Sequence, residues 1–192
     1  MQLETWKGDF GDAYTARQPD STADREVMWR RVLRSVQPKP KSVLEVGANR
    51  GLNLKAWPYG GRLCGLEPNE TAASLLQESG FGVVEGSAVS IAADKESFDL
   101  VFTCGVLIHI PPVELFRACR EIHWVSKRHI LAIEYFAAEP EEKEYRGQGG
   151  MLWKRDFGSF WMDNFDLMPV DSGFFWKRTT GLDNLTWWLF EK

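Results

Sequence analysis

The 192-residue chain is poor in cysteine and histidine, and it has no long apolar run and no basic block. Each shortage closes off a class of function. Cys64, Cys104 and Cys119 are widely spaced and form no C-x-x-C pair, so neither a zinc ribbon nor a disulfide framework is expected and the thiols should be reduced. His109, His123 and His129 show no metal-ligand spacing, and no metal is expected. No apolar stretch approaches the ~20 residues of a membrane-spanning helix. With 23 basic and 27 acidic residues, a formal charge of −4 and no Lys/Arg-rich run, nucleic acid is not an expected partner. The first residues lack the basic-plus-apolar pattern of a secretory signal, so a cytoplasmic location is expected. There is no repeat and no low-complexity segment.

What is present is an ordinary globular composition, 44% hydrophobic and 26% charged, at a length suited to one domain. Residues 1–20 read as an ordered arm with little helix of its own. Asp20 or Ser21 can cap a helix through Val36, whose apolar positions 27, 28, 32, 33 and 36 have helical spacing, and Pro38 and Pro40 stop it. Strands are expected at 42–46, 62–67, 82–85, 98–104 and 129–134. Helices between them begin near Gly51, run over 69–79 and run over 111–124. Alternation of this kind predicts an α/β fold, a doubly wound, mostly parallel sheet with helices on both faces. Beyond residue 135 the pattern changes. The charge run Glu139–Glu144 reads as a solvated helix start, and Gly147–Gly150 as a hinge. Two apolar strands near 166–176 and 185–190 would add an antiparallel pair, giving seven strands in all. Alternation through Trp187–Phe190 sends side chains to both faces, so most of these aromatics are core.

The chemistry begins at Lys41–Leu54, a short strand, a glycine-bearing turn and a helix start. Glu45 stands at the strand's carboxyl end, where a parallel sheet presents its ligand crevice, and can hold a cationic amine. Gly47 and Gly51 allow close backbone approach. A dinucleotide fingerprint G-x-G-x-x-G fits poorly, because Asn49 and Leu52 stand where its later glycines belong. Glu67 ends the second strand, placed to accept hydrogen bonds from ribose hydroxyls, with Pro68 beside it.

The pattern Glu45-x-Gly47-x-Asn49-x-Gly51 resembles the first motif of class I S-adenosylmethionine-dependent methyltransferases, and Thr103–Pro112 resembles their fourth. That resemblance implies a Rossmann-like fold over a single domain, 1–192, with S-adenosylmethionine as cofactor and S-adenosylhomocysteine as product. It makes Glu45, Gly47, Asn49, Gly51, Glu67, Pro68, Ser87, Ala88, Cys104, Gly105 and Val106 the expected cofactor contacts. Ser87 stands where the family usually carries an acid for the adenine amino group. Segments Trp6–Arg17, Leu152–Gly158 and Asp183–Lys192 narrow the likeness to the pseudaminic acid biosynthesis-associated methylases. This implies a small acceptor, a sugar or nucleotide-linked sugar of bacterial surface-glycan synthesis, methylated at oxygen or nitrogen. A peptide, amine or natural-product intermediate is the alternative acceptor, and a non-catalytic cofactor-binding protein the alternative from another class.

On this reading the arm 1–20 covers the cofactor, with Arg17 on the methionine carboxylate and Tyr14 supporting it. His109 or Glu134 is the candidate base. Residues 135–165 form the acceptor side, with Tyr135, Arg146, Trp153, Lys154 and Arg155 as contacts and Phe157 as a further aromatic wall. His123 and His129 are structural. The oligomeric state is left open.

Overall fold

The computed structural model describes residues 2–192, so Met1 lies outside it. The chain begins with α1 (Gln2–Lys7) and α2 (Asp9–Ala16), followed by α3 (Ala23–Val32). Then come β1 (Ser42–Val46), α4 (Leu52–Lys55), β2 (Arg62–Leu66), α5 (Glu70–Glu78) and β3 (Gly82–Val84). Two short strands, β4 (Gly86–Ser87) and β5 (Ser90–Ile91), lead to β6 (Phe98–Cys104). A 3-10 turn over Leu107–His109 precedes α6 (Pro112–Val125) and β7 (Ser126–Glu134). The last part holds β8 (Glu141–Tyr145), β9 (Gln148–Lys154), α7 (Phe157–Phe165), β10 (Pro169–Phe175), α8 (Lys177–Thr180) and β11 (Leu185–Glu191).

Seven strands form one sheet in the order β10-β11-β7-β6-β1-β2-β3. β11 pairs antiparallel with both β10 and β7, and the remaining pairs are parallel. From β1 the chain winds outward through β2 and β3, then returns to β6 on β1's other side. The crevice at the carboxyl ends of β1 and β6 is therefore the topological switch point, where ligands bind in such sheets.

Apolar side chains alternate between two cores. Leu44, Val46, Val101, Ile130, Ala132, Trp188 and Phe190 pack with Leu115, Cys119 and Ile122 of α6 and with Phe157 and Trp161 of α7. Val43, Leu100, Phe102, Leu131, Ile133, Trp187 and Leu189 pack under Met28, Trp29 and Val32 of α3, Leu54 of α4 and Leu76 of α5. The sheet is covered on both faces, as the near-continuous apolar strands predict.

Two local expectations are corrected. The arm is helical: Trp6, Phe10 and Tyr14, four apart, bring their rings together, with Trp6–Phe10 centroids at 5.1 Å and Trp6–Tyr14 at 5.4 Å. Gly8 separates two helices too short to persist alone, which form because they dock. The charge run is a strand, not a helix. β8 pairs antiparallel with β9, and Arg146 and Gly147 at the tip have φ of 54° and 77°, the two left-handed positions a tight hairpin turn requires. The segment read as a hinge is thus a turn and the start of a strand. The helix expected through Val36 ends at Val32, although Leu33 and Val36 remain buried.

Candidate active site

A cavity of about 1230 Å³ opens at the switch point. Its walls come from the arm, from the loops after β1, β2 and β6, from the β8–β9 hairpin and from residues 181–185.

The turn after β1 is built on left-handed backbone: φ is 74° at Gly47, 48° at Asn49 and 77° at Gly51. A Cβ on Gly47 would stand 2.5 Å from Val106 Cγ2, so glycine is required there both for conformation and for the approach of the loop after β6. Glu45 is buried, 2% exposed, on the face of β1 that carries α4. One of its oxygens, Oε1, accepts from Asn53 Nδ2 at 2.5 Å, and Oε2 has no partner among the described residues. Burial pushes its pKa up to about 8, opposed by the Asn53 hydrogen bond and by the charge of Arg25.

Glu67 receives two backbone N–H donors, Asn49 at 2.8 Å on Oε2 and Asn69 at 2.9 Å on Oε1. Burial raises its pKa and these bonds oppose the rise. The asparagines in turn hold the arm. Asn49 Nδ2 donates to Thr15 Oγ1 at 2.7 Å, while Asn69 Nδ2 donates to Asp12 Oδ1 at 2.9 Å and faces the carbonyls of Trp6 and Lys7. Arg50 donates to the carbonyls of Gln18 and Pro19 and pairs with Asp20 at 2.9 Å.

Arg25, half-buried near the start of α3, lines the cavity with its charge felt by Glu45, Tyr14 and Cys104. Its Nε is buried without a partner among the described residues. Arg17, the cation expected there, instead caps α2, is exposed and lies off the cavity wall. Sequence reading overlooked Arg25, although a signal existed: it is spaced three and four residues before Met28 and Trp29, on the buried face of its helix. Tyr14 does line the cavity, and burial raises its pKa to about 12.

Beyond β6, Cys104, Gly105 and Val106 line the cavity, with desolvation pushing the half-buried Cys104 thiol up to about 12. His109 is held from three sides. Its Nδ1 donates to the Met151 carbonyl at 2.6 Å, and its ring lies 4.8 Å from Trp6 and 4.9 Å from Tyr145. Burial pulls its pKa down to about 4, so the ring is neutral near pH 7 and its lone pair sits on Nε2. Trp6, Tyr145 and Met151 were not anticipated from sequence, since each meets His109 across more than 30 residues of chain.

Glu134 is not at the cavity wall, which corrects its reading as a base. It is 0% exposed and spends both oxygens on backbone N–H groups of Val106, Leu107 and Ile108. Gly51 likewise lies off the wall, serving as the N-cap of α4 against Leu76 and Phe81. Asn49, Glu67, Pro68, Ser87 and Ala88 are all at the wall, as are Tyr135, Arg146, Trp153 and Lys154. Arg155 is not; its guanidinium lies over Phe160 at 5.3 Å. Phe157 is 1% exposed in the core beneath α7. Tyr135 donates to Asp183 at 2.6 Å, and Lys154 Nζ lies 5.2 Å over its ring.

Residues 44–129 match the family model described as methyltransferase domain. This chain is a methyltransferase. The matched segment runs from β1 to the start of β7's buried part and includes the turn, Glu67 and the loop after β6. Solved structures agree in fold. The methyltransferase is similar to the 1,6-didemethyltoxoflavin-N1-methyltransferase of Burkholderia thailandensis, at 17% identity over 99% of this chain and 85% of that one, with a TM-score of 0.72. It is similar to magnesium protoporphyrin IX methyltransferase of Synechocystis, at 10% identity over 99% and 97% with a TM-score of 0.73. A SAM-dependent methyltransferase of Leishmania major matches at 15% identity over 99% and 86%, with a TM-score of 0.74. No curated protein matches the chain by sequence.

The cofactor is S-adenosylmethionine, and the site's unmet polar groups fit it. Glu45 Oε2, Asn49 Oδ1 and Arg25 Nε are buried without partners among the described residues, and all three belong to cavity-lining residues. An acceptor-only carboxylate suits an ammonium, and a guanidinium suits a carboxylate. Among the described residues no His/Cys/Asp/Glu group could hold a metal ion, and no helix is long and apolar enough to cross a membrane.

Proposed function

We propose that this methyltransferase acts in the cytoplasm on a small polar acceptor, a hydroxyl or amine of a sugar or nucleotide-linked sugar of bacterial surface-glycan synthesis. The observation that carries the reading is the cavity. At about 1230 Å³ it exceeds the ~300–1,000 Å³ of common single-ligand pockets, leaving room for a second molecule. Its wall includes Tyr135, Tyr145 and Trp153 beside Lys154, faces for a sugar ring next to a cation for an acidic group. The likeness of the outer segments to the pseudaminic acid-associated methylases supports the same class.

In this reading Glu45 holds the ammonium of the methionine part, Arg25 its carboxylate, Glu67 the ribose hydroxyls, and Ser87 with Ala88 the adenine edge. Cys104, Gly105 and Val106 border the transferable methyl. S-adenosylmethionine supplies a methyl group on a sulfonium sulfur, which keeps the C–S electron pair when the methyl leaves. The protein's part is alignment and exclusion of water. His109, with Nδ1–H committed to Met151, offers only Nε2, which takes the acceptor's hydroxyl proton as the new O–C bond forms. An amine that arrives neutral needs less help from it.

A second reading, methylation of a planar natural-product intermediate, is favoured by the rings of Trp6, His109 and Tyr145 meeting at one wall. Transfer of labelled methyl to a panel of nucleotide sugars, free nonulosonic acids, small amines and planar heterocycles tests both. Label on a sugar supports the first reading. Label only on heterocycles or amines overturns it.

A further inference from the structure

Glu134 closes β7, yet its side chain serves the loop after β6. Oε1 accepts from the N–H groups of Val106 at 3.2 Å and Leu107 at 3.1 Å, and Oε2 from Ile108 at 3.5 Å. Three successive amides thus converge on one carboxylate, a nest for an anion. The 3-10 turn Leu107–His109 has no side-chain cap of its own. No ion pair to Glu134 exists among the described residues, so its burial is offset by polar neighbours, the Thr103 side chain and these three amides.

The loop held in this way carries two walls of the site. Val106 fills the space above Gly47, where a Cβ would stand 2.5 Å from it. His109 follows at once, its own N–H donating to the Val106 carbonyl at 2.8 Å. Gly105, at φ 68°, ties the same loop to β7 through the Ile133 carbonyl at 2.8 Å. A shift of this loop would move the cofactor's wall and His109 together.

We infer that Glu134 is a positioning residue for methyl transfer: its carboxylate, acting through the amides of residues 106–108, sets Val106 against Gly47 and aims His109 into the cavity. The ionised carboxylate, the form that the three N–H groups favour, can do this because it only accepts. Glutamine in the same place turns an NH₂ toward at least one N–H, which opens the nest without changing the side chain's size.

The test uses S-adenosylhomocysteine as the probe and needs no acceptor. Its affinity for the unaltered protein is measured first, so that failure of the cofactor assignment is separated from failure of this inference. In folded Glu134→Gln, affinity should fall about tenfold. The same change made in a Val106→Ala background should cost at most twofold more, because both act on one wall. A lowered melting temperature with unchanged affinity would mean a merely structural residue and overturns the inference, as does full additivity with Val106→Ala. If Glu134→Gln does not fold, hydrogen exchange on the unaltered protein decides. Slow exchange at the amides of Val106, Leu107 and Ile108 supports the nest, and exchange at exposed-loop rates overturns it.

Discussion

Asn69 binds Glu67 and the N-terminal arm at once. Its backbone N–H donates to Glu67 Oε1 at 2.9 Å, its side-chain oxygen caps α5 at Ala72, and its NH₂ reaches Asp12, Trp6 and Lys7. The acid proposed to meet the ribose is therefore one residue's width from the clasp of the arm. Asn49 repeats the arrangement on the other carboxylate oxygen, with Thr15 as its arm contact.

Replacing Asn69 by Asp separates the two duties. The cap acceptor for Ala72 stays, while the donor to the arm is lost and a second carboxylate faces Asp12. The arm should open to limited proteolysis at rates several-fold above the unaltered protein, with S-adenosylhomocysteine binding weakened in parallel. Asn69→Ala should lose the cap as well, costing about 1 kcal/mol more in urea unfolding. Equal protease resistance in Asn69→Asp and the unaltered protein would remove the clasp from the account.

Arg25 and Arg17 give a direct comparison. Arg25→Ala should weaken S-adenosylhomocysteine binding about tenfold or more, as expected when a charge-assisted bond to a carboxylate is lost. Arg17→Ala, at an exposed position off the cavity wall, should change it less than about twofold. Isothermal titration of both variants decides which arginine meets the ligand.

Gly47→Ala should be costly in two ways. The new Cβ meets Val106, and φ of 74° is unfavourable for alanine, together about 1–3 kcal/mol. Unfolding should move by that amount and S-adenosylhomocysteine binding should be lost, whereas Gly80→Ala, with open space around its Cβ, should bear only the backbone strain.

Stability should fall as pH rises from about 6.5 to 8. Burial lifts Glu45 from its ordinary 4.5 to about 8, so the folded state holds a proton there that the unfolded state has released. The stability from this group is complete below about 4.5 and is lost as pH climbs toward 8. Glu134, lifted to about 7, acts in the same direction. His109, lowered to about 4, acts oppositely, but only below its ordinary 6.5. Melting curves of the ligand-free protein should show the decline above pH 6.5, and Glu45→Gln should flatten it. A slope unaltered in Glu45→Gln would count against a neutral buried Glu45.

Much of the fold was legible because its signals are local. β6 was expected at 98–104 and lies there, since a strand buried on both faces must be apolar at nearly every position. The split of Trp187 and Leu189 from Trp188 and Phe190 followed from the two-residue period alone. Elements whose state depends on a distant partner were misread. Glu141–Tyr145 is a strand only because β9 returns beside it, and α1 and α2 are helices because Trp6, Phe10 and Tyr14 have something to dock on.

The sequence by itself determined the strand-turn-helix of residues 42–55, the acids at two strand ends and the glycine at 47, because backbone sterics and strand period act within a few residues. The tertiary structure alone decided which charged groups face the cavity. Arg25 faces it and Arg17 does not, His109 borders it on a carbonyl 42 residues away, and Glu134 turns inward to a loop. A side chain's neighbours are set by packing between elements, and no spacing along the chain encodes that directly.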